Sequence, residues 1–188
     1  EFIKDYFKYN IKILDYSPEN LYLLNRKYKY QNTLHLPYVY NKNEIYNLEK
    51  TKDVCIIAPN GYRKNIVNII KKDYNIDVDI IEGFGELRDK ELFQYKVLIN
   101  ISANREYKIF EIIRCYRCLF NKMIVISDDK LNHNLIDYHK HIIFTGKYNI
   151  PETLKDVLNN YEDYYKKLDI DNVDINHFDN YIQNFSLD

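Results

Sequence analysis

The chain predicts an α/β fold, a Rossmann-like parallel sheet with helices on both faces, and three features predict it. Between residues 52 and 145, short aliphatic and β-branched runs alternate with helix-length amphipathic segments, the order that builds a parallel sheet. The runs are continuously apolar, as strands buried on both faces must be. Small polar stretches fall at the ends of these runs, where open parallel sheets place their ligands.

Each element has its own reason. Ile11-Lys-Ile-Leu-Asp-Tyr16 reads as a short strand. Ser17-Pro18-Glu19 then opens a helix over 19–28, with Ser17 as N-cap and Pro18 at the first helical position. Residues 33–40 are extended, because Pro37 disfavours helix for itself and for Leu36. The polar stretch 41–52 reads as a linker with one helical turn. Strands follow at 53–58, 78–81, 96–101, 123–126 and 142–145, and helices at 63–72, 88–95, 107–120 and 151–165. The helix at 63–72 carries Ile66, Val67, Ile69 and Ile70 on its buried side. Beyond residue 169 the tail is polar, with Phe178, Tyr181, Ile182 and Phe185 at helical spacing, which predicts a short amphipathic helix. The expected division is 1–40, tail of a preceding domain and linker strand; 41–168, the Rossmann-like domain; and 169–188, an amphipathic C-terminal tail.

Composition narrows the function classes. No apolar run approaches the roughly 20 residues of a membrane helix. A net charge of −1 leaves no electrostatic footprint for nucleic acid, so none is expected as a partner. Three cysteines, an odd number, argue against a disulfide framework and for a reducing, cytoplasmic compartment. The chain opens in mid-pattern without Met, so a piece of a longer protein is expected. Its 20 tyrosines accompany abundant Asn, Lys and Ile, the bias of AT-rich codons, and do not mark a recognition surface.

Three loops carry candidate chemistry. Pro59-Asn-Gly61-Tyr-Arg63-Lys64 places a glycine and two cations at a helix start. Backbone N–H groups and the helix dipole favour an anion there, with Arg63 adding a charge-assisted bond to phosphate; a plain turn with solvated Arg63 and Lys64 is the equal alternative. Gly83-Phe-Gly85 follows the second strand, and Glu82 sits where a dinucleotide enzyme wants a carboxylate, but the first loop lacks the matching glycines. The strongest candidate runs from Asn100 to Glu111. Ser102, Ala103 and Asn104 let a ligand approach the backbone, and Glu111 lies near the first turn of the next helix, where a carboxylate accepts sugar or ribose hydroxyls. Arg114, at i+3, either faces the ligand or pairs with Glu111 along the helix.

The remaining reactive residues read as structural. Cys115-Tyr-Arg-Cys118 sits inside a helix without a second pair, which favours buried thiols over zinc. His133, His139 and His141 lack metal-ligand spacing, so no metal is expected. Ser127-Asp128-Asp129 is either a polar loop or a ligand-facing carboxylate at the sheet edge.

In order and spacing these segments resemble the carboxyl-terminal, nucleotide-sugar-binding half of GT-B-fold glycosyltransferases, the group 1-like type of bacteria and large DNA viruses. Leu36-Pro-Tyr38, 53–64, Gly85-Glu-Leu-Arg-Asp89, 96–101, Ile109-Phe-Glu111-Ile-Ile-Arg114-Cys115 and 121–127 carry the likeness, which covers about residues 36–165. The chain departs from the family's pattern at Ser102, where the family often has His, at Arg117, where it places a second Glu, and at Lys122, where it has Gly. The resemblance implies a nucleotide-sugar-dependent glycosyltransferase of hexosyl type, represented by its donor-binding portion. Its donor would be UDP- or GDP-linked and used as substrate, with no separate cofactor, and its acceptor is open. The resemblance implies that Arg63 addresses phosphate, Glu111 the ribose or sugar, and Asn100 and Ser102 the loop geometry; Gly61, Lys64 and Arg114 complete the expected nucleotide-sugar-binding set. The rival reading is a non-catalytic Rossmann-like interaction module. A receiver-like phosphoacceptor domain is excluded, since paired acids after the first strand and an Asp after the third are missing.

Overall fold

The computed structural model of the chain describes residues 7–36, 38, 42–57, 61–103, 109–128, 138–168 and 170. The expectations placed on Pro37, Pro59, Asn60, Asn104, Asp129, His133 and the tail helix at 171–188 lie outside these residues.

The first unit is a small βαβ. Strand β1 (Ile13–Asp15) pairs in parallel with β2 (Thr33–His35), and helix α1 (Pro18–Tyr28) connects them. Ser17 caps α1 as expected, its Oγ accepting the Asn20 N–H at 3.3 Å. Lys29, in the left-handed region at φ 57°, ends the helix by donating its N–H to the Asn25 carbonyl.

A connection with one 3-10 turn (Lys42–Glu44) leads to the main body. Polar bonds fasten it there. The Tyr46 N–H donates to Asn121 Oδ1 at 2.8 Å, and Asn121 Nδ2 donates to the Glu44 carbonyl at 2.8 Å. Lys50 Nζ reaches the carbonyls of Phe93 (2.5 Å) and Asn121 (2.7 Å).

The body is a five-stranded, all-parallel sheet in the order β4-β3-β5-β6-β7. Its strands are β3 (Lys52–Ile57), β4 (Asp79–Ile81), β5 (Tyr95–Asn100), β6 (Ile124–Asp128) and β7 (Ile142–Thr145). Helices α2 (Gly61–Tyr74), α3 (Glu86–Leu92), α4 (Ile112–Phe120), α5 (Ile150–Asn159) and α6 (Tyr161–Lys166) complete it. The predicted α/β class and helix coverage of both faces are what the structure shows. Side chains alternate between two cores with the strand period of two. Val54, Ile56, Val97 and Ile99 pack under Ile66 and Ile70 of α2 and Leu154 and Val157 of α5. Cys55, Ile57 and Leu98 face the opposite layer, with Leu92 of α3 and Cys115, Tyr116 and Leu119 of α4. Burying each aliphatic side chain this fully contributes about 1.5–3 kcal/mol, so both layers anchor the sheet.

Several boundaries differ from the sequence reading, three of them for a local reason. Tyr95 begins β5 instead of ending a helix: its ring is buried and its hydroxyl donates to Asp79 Oδ2 at 2.8 Å, reaching past β3 to β4. Helix α4 starts at Ile112, with Glu111 at its N-cap, whereas the apolar spacing had extended it back to 107. The last helix divides at Asn160, whose Nδ2 donates to the Asp156 carbonyl and carboxylate and so competes with the helix backbone.

Candidate functional site

The strand order fixes where a ligand crevice belongs. From β3 the chain crosses to β4 on one side, then returns past β3 to β5 on the other. Such a reversal leaves a gap between the loops at the carboxyl ends of β3 and β5. The first turn of α2 and the residues after Asn100 border that gap.

Three successive residues there are each held by side chains of other elements. Asn100 donates through Nδ2 to Ser127 Oγ at 3.0 Å and accepts from Arg114 Nη1 at 3.4 Å. The Ile101 carbonyl accepts from Arg63 Nε at 2.7 Å. Ser102 donates its N–H to both Asp128 carboxylate oxygens at 3.1 Å and its hydroxyl to Asp128 Oδ2 at 2.6 Å. Helix α2, strand β6 and helix α4 thus converge on one tripeptide, all of it buried.

This arrangement sorts the residues expected from sequence. Arg63, Asn100, Ser102 and Arg114 come together in one hydrogen-bonded cluster. Arg63 is only 6% exposed, and its Nε lies on a protein carbonyl where the sequence reading put a phosphate. Arg114 turns to Asn100, the residue that ends β5. Gly61 and Lys64, by contrast, are exposed on the first turn of α2, and a Cβ added at Gly61 would meet nothing within 4 Å. Glu111 is half-buried at the head of α4; its carbonyl accepts the Cys115 N–H at 3.0 Å and its side chain makes no capping bond.

One residue of the small βαβ unit feels the charge of Glu111. Tyr16, just past the carboxyl end of β1, has its hydroxyl pKa raised by burial first and then by the negative charges of Glu111 and Asp15. Glu111 therefore lies within electrostatic reach of Tyr16. His35 Nε2, at the end of β2, is 3.2 Å from the Tyr16 carbonyl. Tyr16 and His35 escaped the sequence reading, although the strand-end rule that selected Asn100 applies equally to β1 and β2. Asp128 was left open between loop cap and ligand contact; its carboxylate engages Ser102.

The other reactive groups are accounted for by packing. Cys55, Cys115 and Cys118 are fully buried thiols outside any disulfide. Burial raises the pKa of Cys118 to about 12 and that of Cys55 well above its ordinary value. Arg117, which stands where the resembling family has a second Glu, points away from the strand ends. Its Nε meets Glu44 Oε2 at 2.7 Å and its Nη2 meets Asp89 Oδ2 at 2.5 Å. Among the described residues no helix is long and apolar enough to cross a membrane.

Comparison with known proteins adds relatives and a fold. No family model matches the chain. It is 33% identical over 154 residues to the uncharacterized protein L137 of Acanthamoeba polyphaga mimivirus, across 76% of this chain and 20% of that protein. It is 30% identical over 194 residues to the uncharacterized protein R358 of the same virus, across 96% of this chain and 66% of that one. The chain thus spans a fifth of the length of L137 and just under two thirds of R358. Among solved structures, that of WaaG, a glycosyltransferase involved in lipopolysaccharide biosynthesis, superposes with a TM-score of 0.61 at 9% identity, covering 87% of this chain and 59% of that one. The chain shares the fold of a glycosyltransferase.

Proposed function

We propose that this chain is the donor-binding portion of a nucleotide-sugar-dependent glycosyltransferase, encoded by a virus as its mimivirus relatives are. The observation that carries the reading is the switch-point gap between β3 and β5, framed by the fixed tripeptide 100–102, with Glu111 at the N-cap of α4. The fold likeness to a glycosyltransferase supports it.

In this reading the donor's diphosphate rests against the first turn of α2, where backbone N–H groups and Lys64 meet its charge and Gly61 leaves room for close approach. Glu111 accepts hydroxyls of the ribose or sugar. Arg63, Asn100, Ser102 and Arg114 hold the frame against which the donor is oriented. Charge developing on the leaving diphosphate is stabilised by these fixed dipoles and cations. Residues 1–40 belong to the acceptor side and 41–168 to the donor side. Tyr16 and His35 then stand on the acceptor side of the gap. The donor is UDP- or GDP-linked.

Calorimetric titration with UDP- and GDP-sugars tests the reading. Binding that weakens about tenfold or more in Glu111→Ala is expected, the loss of hydrogen bonds to a charged group. Absence of any nucleotide binding would leave the rival, a Rossmann-like interaction module. One observation favours that rival: Arg117 is committed to Glu44 and Asp89, so no second carboxylate serves the site from that position.

A further inference from the structure

We propose that Asp128 is a positioning residue of the donor site, acting through Ser102 to hold the start of the connection that ends at Glu111. This role rests on the site reading above and adds a residue which that reading does not contain.

The sheet itself explains why such a residue is needed. The β5–β6 ladder ends at the pair Asn100 and Ser127. Ser102 lies two residues beyond, where no further strand partner takes its N–H. Asp128, the last residue of β6, supplies the missing acceptor from its side chain while its own backbone stays in register with Thr145 of β7. The N–H is shared between both carboxylate oxygens at 3.1 Å, and the hydroxyl bond of 2.6 Å has the length of an O–H donor on an ionised carboxylate.

Burial decides between this role and a direct ligand contact. Asp128 is 7% exposed and Ser102 5%. A carboxylate removed from water is costly unless its oxygens are satisfied, and here Ser102 meets both. Asp128 therefore acts on the ligand through the backbone it holds. It also completes a sequence of restraints: Arg114 and Ser127 on Asn100, Arg63 on Ile101, Asp128 on Ser102. The first two act on the end of the strand and its first free carbonyl. Asp128 grips Ser102, the residue from which the connection departs.

The test uses the whole chain with Asp128→Ala, Asp128→Asn and Ser102→Ala, read by amide hydrogen exchange and by titration with UDP and GDP. In Asp128→Ala, exchange at Ser102 and at Ile109 to Glu111 is expected to accelerate while the β3 and β5 amides keep their protection, and nucleotide affinity to fall about tenfold. Asp128→Asn keeps an oxygen for the Ser102 N–H and is expected to restore most of both; Ser102→Ala, which loses only the hydroxyl bond, falls between. If Asp128→Ala does not fold, the other two variants carry the comparison. The proposal is overturned if Asp128→Ala leaves the local exchange unchanged, if exchange rises equally throughout the sheet, or if affinity holds while the segment loosens. A wild-type chain that binds neither nucleotide would instead remove the site reading on which the role depends, and unaltered wild-type binding beside an unmoved Asp128→Ala would remove Asp128 alone.

Discussion

Replacing Arg117 with Met cuts the network that joins the connection at 38–50 to the main body. The size of the effect follows from burial. Asp89 is almost wholly buried and is shared by Arg117 Nη2 at 2.5 Å and Arg88 Nε at 2.8 Å. Removing one partner of a buried ion pair costs about 3–5 kcal/mol. Arg88 remains in place, so the expected loss lies lower, about 2–3 kcal/mol. Glu44 is a third exposed on its side chain, so its share adds less than about 1 kcal/mol. Met keeps the apolar stem of Arg117 and so isolates the charge from the packing. Arg117→Glu, the residue the resembling family carries, would set a third carboxylate beside Asp89 and Glu44. Its loss should exceed about 4 kcal/mol, a large part of the 5–15 kcal/mol that holds a domain of this size. Urea unfolding of wild type, Arg117→Met, Asp89→Asn and the double variant measures the coupling, expected to exceed about 1 kcal/mol. Stability of Arg117→Met within about 0.5 kcal/mol of wild type, or an Arg117→Glu protein no weaker than Arg117→Met, would refute the reasoning.

Three further outcomes are expected. A thiol reagent should leave Cys55, Cys115 and Cys118 unmodified in the native protein and label all three in denaturant, since the thiolate is the reactive form and burial opposes it; rapid native labelling would contradict the packing. Burial lowers the pKa of Lys50 to about 8 from 10.5, so between those values the unfolded chain binds more protons than the folded one, and stability should rise with pH across that window by about 1–2 kcal/mol and stay level in this respect below it. Lys50→Met should flatten that rise, and equal slopes in both proteins would count against it. Gly85 sits at φ 81° and ψ −171°, a region nearly closed to side chains, so Gly85→Ala should lose about 1–3 kcal/mol in thermal unfolding, although a Cβ there meets nothing within 4 Å.

Much of the fold was legible because burial on both faces leaves a one-dimensional trace. Val54-Cys-Ile-Ile57 and Val97-Leu-Ile99 are apolar throughout because α2 and α5 cover one face and α3 and α4 the other. Ser17 and Pro18 marked the start of α1 because capping is local chemistry. The start of α4 was not legible: Phe110 is buried against Tyr116 and Phe144, so apolar spacing continues past the point where the helical backbone stops. The site was legible as a place more than as a set of contacts. Arg63, Asn100, Ser102 and Arg114 meet at the end of β5, but their partners Ile101, Ser127 and Asp128 are set by tertiary packing between distant elements, 27 residues apart for Asn100 and Ser127. A polar residue at a strand end looks alike in sequence whether it meets a ligand or another protein group.

Helix α4 gives Arg117 a second meaning. Arg114 and Arg117 are one turn apart on the same helix, yet Arg114 reaches back to the end of β5 while Arg117 reaches down to Glu44 on the connection and Asp89 on α3. Parallel-sheet helices run against their strands, so the first turn of α4 lies at the ligand edge and the next lies beneath it. Tyr38 joins the lower network through its hydroxyl on Glu44 Oε2 at 3.0 Å, and its ring packs against Phe120 at the end of α4. The connection is therefore fastened to the helix that presents Glu111. In this chain Arg117, at the position where the resembling family carries a second Glu, ties the connection to α3 and α4 instead.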